Sequence, residues 1–193
     1  VGIVGVRRGG SYMRSYARNE RTEITAICDL DVNRLSEASE SLGLSDSQTF
    51  IDYDEFINAD VDIVVISTPI PLHAEQAVKA LEAGKHVLSE VTVADTVEGC
   101  SKIYDVAKRS KGKYMLAENY IYFHFIQEWK KYIDAGTIGR IHYAEAEYIH
   151  DIRNLLLDKE SGETFWRKYR PPIHYCTHCL GPLLFLMGDD YIV

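Results

Sequence analysis

The feature that most constrains this chain is a rhythm. Short apolar runs rich in β-branched residues alternate with stretches that repeat apolar residues every three or four positions. Val61-Asp62-Ile63-Val64-Val65-Ile66 is the clearest run, and Ser67-Thr68-Pro69 ends it, because proline cannot donate to a strand ladder. Ala74, Ala77, Val78 and Leu81 then fall on one helical face, with Gly84 as the stop. The same alternation fills the first 118 residues. Val1 to Val6 reads as a buried strand, followed by the glycine pair Gly9-Gly10 and a helix to about Asn19. Ile24 to Cys28 is a second strand ending at Asp29. Asp31 then caps a helix that carries Leu35, Ala38 and Leu42 and stops at Gly43. A third unit opens near Thr49. His86 to Ser89 and Tyr114 to Ala117 are further strands. Between them Asp95 and Glu98 start a helix with Val97, Cys100, Tyr104 and Ala107 as its expected buried stripe.

Strand–helix alternation with short connections predicts an α/β fold, a doubly wound parallel sheet with right-handed crossovers and helices on both faces. The rhythm breaks after residue 118. Phe125, Trp129, Tyr132 and Ile133 predict an amphipathic helix ended by Gly136. Arg140 to His150 predicts a long strand, then a charged loop, then a helix from about Thr177 to Met187. Residues 119–193 thus read as the start of a second domain. The chain opens on Val1 inside an apolar run and closes on Tyr191-Ile192-Val193, which resembles a strand start. A piece of a longer protein is expected.

Composition narrows the function classes. The 193 residues carry 21 Lys+Arg against 29 Asp+Glu, a formal charge of -8. That balance argues against a nucleic-acid partner, which needs a basic face. No apolar run approaches the ~20 residues of a membrane span, and no basic-then-apolar leader is visible. The scattered Cys28, Cys100, Cys176 and Cys179 fit a reduced, cytoplasmic setting better than a disulfide scaffold. Cys176 and Cys179 form a C-x-x-C with His174 and His178 close by, but a zinc site needs a second ligand pair at workable spacing. No metal site is expected.

Gly5, Gly9 and Gly10 lie at the first strand–helix junction. A dinucleotide fold uses G-x-G-x-x-G there, for the tight turn, for pyrophosphate approach and for helix packing. With Gly5 first and Gly10 third, the middle position is Arg7, a departure in which Arg7 or Arg8 supplies charge instead. Asp29, at the end of the second strand, sits where a carboxylate takes the ribose 2′-hydroxyl. It would repel a 2′-phosphate, so NAD is expected over NADP.

On these residues the chain resembles the Gfo/Idh/MocA family of NAD(P)-dependent oxidoreductases. The resemblance is carried by Gly2-Ile3-Val4-Gly5, by Ser67-Thr68-Pro69 with His73, by Ala80 through Glu90 (A-L-E-A-G-K-H-V-L-S-E), and by Gly136-Thr137-Ile138-Gly139-Arg140-Ile141. It implies a C-terminal α/β domain built on an open sheet, and homo-oligomers formed through it. It implies that Thr68, Pro69 and His73 line the cofactor groove, that Glu90 lies near the nicotinamide ribose, and that Asn119 lies near the nicotinamide or substrate. Two family motifs are altered. The E-K-P segment reads Glu90-Val91-Thr92, so valine replaces the lysine that assists proton transfer. The D-x-x-x-H pair reads His174 to His178.

Hydride transfer from an alcohol needs a base for the hydroxyl proton, and valine cannot be one. The tract Glu118-Asn119, Tyr122, Tyr148-Ile149-His150, Trp166-Arg167 and Tyr175 to Pro182 resembles the NAD-dependent α-N-acetylgalactosaminidase branch. Enzymes of that branch oxidise a sugar hydroxyl transiently, eliminate the glycosidic bond, add water and return the hydride. The expected acid/base residues are Tyr175 and His178, three apart at a helix start; an imidazole ordinarily titrates near neutrality. His150, Arg153, Trp166, Arg167 and His174 are the expected sugar-pocket residues. The first reading is an oxidoreductase acting on a sugar or polyol. A redox-assisted glycosidase is the second, and a non-catalytic nucleotide binder the third.

Overall fold

The computed structural model describes residues 1–157, 162 and 164–188; the expected strand at Tyr191–Val193 lies outside them. The chain divides into two compact units, Val1–Ala117 and Glu118–Val193.

In the first unit β1 (Gly2–Val4), α1 (Val6–Ala17), β2 (Ala26–Cys28), α2 (Val32–Leu42), β3 (Thr49–Phe50) and the single-turn α3 (Tyr53–Phe56) follow one another. Then come β4 (Ile63–Ile66), α4 (Ile70–Glu82), β5 (His86–Ser89), α5 (Val97–Arg109) and β6 (Tyr114–Leu116). All six strands are parallel, in the order β3-β2-β1-β4-β5-β6. This is the doubly wound sheet that the rhythm predicts.

Period-two alternation builds two cores from single strands. Val4, Val64 and Ile66 point to one face, where Phe56, Ala77, Leu81, Ile103 and Val106 from α3, α4 and α5 cover them. Ile3, Ile27 and Val65 point to the other, under Val6, Met13 and Leu35 of α1 and α2. Both faces of the sheet are therefore dry, which is why its strands read as unbroken apolar runs.

Asp31 caps α2 by accepting from Asn33 and Arg34, and Gly43 ends it at φ 69°. Several details differ from the sequence reading. The glycine pair lies inside α1, which begins at Val6. Thr96, not Asp95, caps α5, its side chain accepting from the Gly99 N–H. The buried stripe of α5 is Gly99, Ile103 and Val106, while Val97, Cys100 and Tyr104 are exposed. Small size decides the phase. A Cβ on Gly99 would stand 2.9 Å from Ala94 and 3.0 Å from Ala74, so only glycine lets α5 approach α4.

In the second unit α6 spans His124–Asp134 and α7 spans Thr177–Met187. On α6 it is Ile126 that is buried, with Phe125, Trp129 and Tyr132 about half exposed. Residues 140–150 are not a strand. A strand exists by pairing, and among the described residues none pairs with this segment.

Phe56 is fully buried and meets Phe50 edge-on at 5.9 Å. Phe56→Ala is expected to lower the stability of the sheet unit by about 3–5 kcal/mol, read as an earlier urea transition in far-ultraviolet circular dichroism.

Candidate functional site

In the first unit the candidate cofactor residues gather where β1 hands over to α1. Gly5 adopts φ 86°, and a Cβ there would stand 2.7 Å from the Ser67 carbonyl carbon and oxygen. Glycine is therefore required by both dihedral and space. Gly9 carries the packing role expected of the third glycine, since its Cβ would lie 2.7 Å from the Ile3 side chain. Gly10 meets nothing closer than Arg14 at 3.9 Å. The fingerprint is thus met by Gly5 and Gly9, not Gly10, and Arg7 is exposed in the first helical turn.

Asp29 stands at the carboxyl end of β2. Its Oδ2 accepts from the Val6 N–H at 2.8 Å and its Oδ1 from the Asp31 N–H at 2.9 Å. An ionised carboxylate offers about four acceptor sites, so both oxygens retain capacity for ribose hydroxyls. A helix start, a glycine turn and this carboxylate lie outside the carboxyl ends of parallel strands, where β1 neighbours both β2 and β4. That is the topological switch point at which such sheets bind dinucleotides.

The remaining predicted cofactor residues divide. Thr68 donates through Oγ1 to Gln76 Oε1 at 2.6 Å, and Pro69 leads into α4. His73 is 1% exposed, with its ring nitrogens 2.7 Å from the Thr92 carbonyl oxygen and 2.8 Å from that of Thr68. Its ring therefore braces the Thr68–Pro69 turn from within instead of lining a groove. Glu90 is buried and bound to Arg8 Nε at 2.5 Å and to the Tyr12 hydroxyl at 3.1 Å. Val91 is buried as well.

The second unit gathers a carboxylate and three tyrosines around His178. Glu118, 8% exposed, accepts through Oε1 from the Tyr120 N–H at 2.9 Å and lies 3.0 Å from His178 Nδ1. An ionised carboxylate only accepts, so Nδ1 carries the hydrogen and Nε2 of the neutral ring presents its lone pair. Glu118 Oε2 is buried without a hydrogen bond among the described residues. The imidazole stacks on Tyr120 at 4.3 Å and meets Tyr148 edge-on at 4.8 Å, with Tyr175 stacked at 6.3 Å. Burial, reinforced by Tyr120, Tyr175 and Glu118, pushes the Tyr148 hydroxyl above its ordinary pKa, so it remains a donor at neutral pH.

Local sequence explains this packing. A Cβ on Gly181 would stand 2.8 Å from Glu118 Cγ, so glycine in α7 admits the carboxylate. Pro182, inside the same helix, has no N–H to return to the carbonyl of His178.

Of the predicted substrate residues, Arg167 donates from Nε to the Tyr175 oxygen at 3.0 Å and lies 4.4 Å over the Trp166 ring. His150 Nδ1 is 3.1 Å from the Tyr148 hydroxyl. Arg153 instead forms a two-pronged ion pair with Asp151 at 2.9 and 2.7 Å. His174 is half-buried just before α7, and Asn119 is exposed beside Glu118. Sequence reasoning named Tyr175 and His178 but gave no role to Glu118, Tyr120 or Tyr148. The one signal for Glu118 was a carboxylate directly after the last sheet strand. Among the described residues no group of three or more His, Cys, Asp or Glu side chains is placed to hold a metal ion, and no helix is long and apolar enough to cross a membrane.

Residues 1–118 match the model of an oxidoreductase family with an NAD-binding Rossmann fold. The chain belongs to the Gfo/Idh/MocA family. Its first unit is the NAD-binding domain of that family, and the glycine turn and Asp29 fit the dinucleotide. A glycosyl hydrolase family 109 protein of Shewanella pealeana is 34% identical over 211 residues, covering 100% of this chain and 46% of that protein. An alpha-N-acetylgalactosaminidase of Shewanella oneidensis matches equally, at 34% and 46%. The chain thus spans about half the length of the curated relatives it matches. Among solved structures, an oxidoreductase domain protein of Kribbella flavida superposes with a TM-score of 0.80 at 25% identity, over 98% of this chain and 54% of that one. The WlbA dehydrogenase of Bordetella pertussis, solved with NADH and UDP-GlcNAcA, gives 0.68 at 26%, over 73% and 43%.

The Glu118 contact sets a tautomer. Nitrogen-15 histidine spectra are expected to show His178 protonated at Nδ1 at neutral pH, and Glu118→Ala is expected to return it to the mixture of an unconstrained imidazole.

Proposed function

We propose that the protein is a redox-assisted glycoside hydrolase, using NAD to cleave a sugar's glycosidic bond without net oxidation. The observation that carries the reading is the Glu118–His178 pair. Position 91 is valine and cannot take a proton, whereas His178 Nε2 has a lone pair that Glu118 orients from the opposite nitrogen. Bound NAD supplies what no side chain can, a reversible hydride acceptor.

The protein's own groups then have separable tasks. His178 Nε2 receives the proton of a sugar hydroxyl, and Glu118 steadies the resulting imidazolium. Tyr175, its oxygen held by Arg167 Nε, passes a proton to the departing glycosidic oxygen and takes up the one lost from the acidified C–H beside the transient ketone, so that the C–H and C–O bonds break in one elimination. Tyr120 and Tyr148 flank the imidazole, excluding water and offering aromatic faces to the sugar's C–H groups.

The relatives at 34% identity, matched along all of this chain, carry glycosyl hydrolase and alpha-N-acetylgalactosaminidase names, which favours hydrolysis. Net hydride transfer to a sugar-like alcohol is the second reading. A scyllo-inositol dehydrogenase of Lactobacillus casei, solved with NAD(H) and scyllo-inositol, supports it at 29% identity over 72% of the chain.

A chromogenic α-N-acetylgalactosaminide offered to the intact protein with NAD separates the two. Hydrolysis predicts aglycone release with no accumulation of NADH, and a roughly 10²–10⁴-fold loss of kcat in His178→Ala. Accumulating NADH without aglycone would establish the dehydrogenase instead.

A further inference from the structure

We propose that Arg8 and Tyr12 are positioning residues for the nicotinamide-side ribose, acting through Glu90 and not on the pyrophosphate. The inference rests on the NAD seat described above. Asp29 ends β2 on one side of the β1–α1 turn. A dinucleotide whose pyrophosphate lies over that turn must send its other half the opposite way, across the carboxyl ends of β4 and β5. Glu90 is the residue immediately after β5, and its N–H donates to the Ile66 carbonyl at the end of β4 at 2.9 Å.

The Glu90 carboxylate is more than nine-tenths buried. Such a charge is costly unless paired. Its two donors converge on one oxygen: Arg8 Nε reaches Oε1 at 2.5 Å and the Tyr12 hydroxyl reaches the same atom at 3.1 Å. They stand one helical turn apart on the same face of α1. Oε2 makes no hydrogen bond among the described residues, so it is the oxygen left to accept from a hydroxyl. Burial and the nearby Glu90 charge push the Tyr12 hydroxyl well above its ordinary pKa, keeping it a donor. The arginine that the sequence offers to the phosphates thereby turns its Nε to a carboxylate. Together Arg8 and Tyr12 hold the Glu90 carboxylate by one oxygen, which leaves the other to give a ribose hydroxyl a charge-assisted bond.

The intact chain is titrated calorimetrically with NAD, with ADP-ribose, and with ADP, which lacks the second ribose. Arg8→Met and Glu90→Gln are each expected to weaken NAD and ADP-ribose by about 10- to 100-fold while ADP binds as before. The double variant should be no weaker than Glu90→Gln alone, and Arg8→Lys should recover part of the loss. Tyr12→Phe, which leaves the ion pair in place, should show a smaller loss with the same ligand pattern. An equal loss for ADP and NAD would place Arg8 on the pyrophosphate and overturn the proposal, as would NAD binding unchanged in both Arg8→Met and Tyr12→Phe. If the unaltered chain binds none of the three, the NAD seat itself falls, and this inference with it.

Discussion

The turn from β1 into α1 holds the rest in place. Gly5 must take a left-handed conformation with no room for a Cβ beside the Ser67 carbonyl, so the end of β4 and the helix start are held close together. The next N–H, that of Val6, donates to Asp29, which ties the end of β2 to the same turn. One residue without a side chain thus brings three strand ends and a helix N-terminus to one place. A methyl group at position 5 would meet backbone, which cannot rotate away. The proposed nucleotide seat and the stability of the sheet centre therefore depend on the same atom-scale fit.

Much of this was legible in the sequence because the sheet is covered on both faces. Continuous β-branched runs identify such strands, and β5 and α7 fall where the sequence reading places them. The departures on α5 and α1 share a cause. There the deciding contacts belong to glycine. Gly99 and Gly9 sit where a Cβ would collide with Ala94 and Ile3, and a search for large apolar residues passes over them. Tyr104, an expected stripe residue, lies outside with the Lys108 ammonium 4.1 Å over its ring. Arg140–His150 has a strand's composition, but a strand also needs a neighbour, and composition does not specify one.

The cluster around His178 was only half visible. Tyr175 and His178 are close in sequence and recognisable as an acid/base pair. Glu118 precedes His178 by 60 positions, and its role appears only when α7 folds back on the segment after β6. Gly181 was a clue of the same kind as Gly99, a missing side chain that marks where another must fit. His73 shows the reverse. Its position in the family motif points to the cofactor, yet both ring nitrogens are taken by backbone carbonyls, and its task is to hold Thr68 and Pro69 in shape.

NAD binding to the first unit is the property on which the proposed chemistry depends, and Asp29 is the residue proposed to choose between dinucleotides. Equilibrium dialysis of the intact chain against NAD and NADP measures this directly. Saturable NAD binding, with NADP markedly weaker because its 2′-phosphate meets the Asp29 carboxylate, is the expected result. Binding of neither dinucleotide, or a preference for NADP, would contradict it.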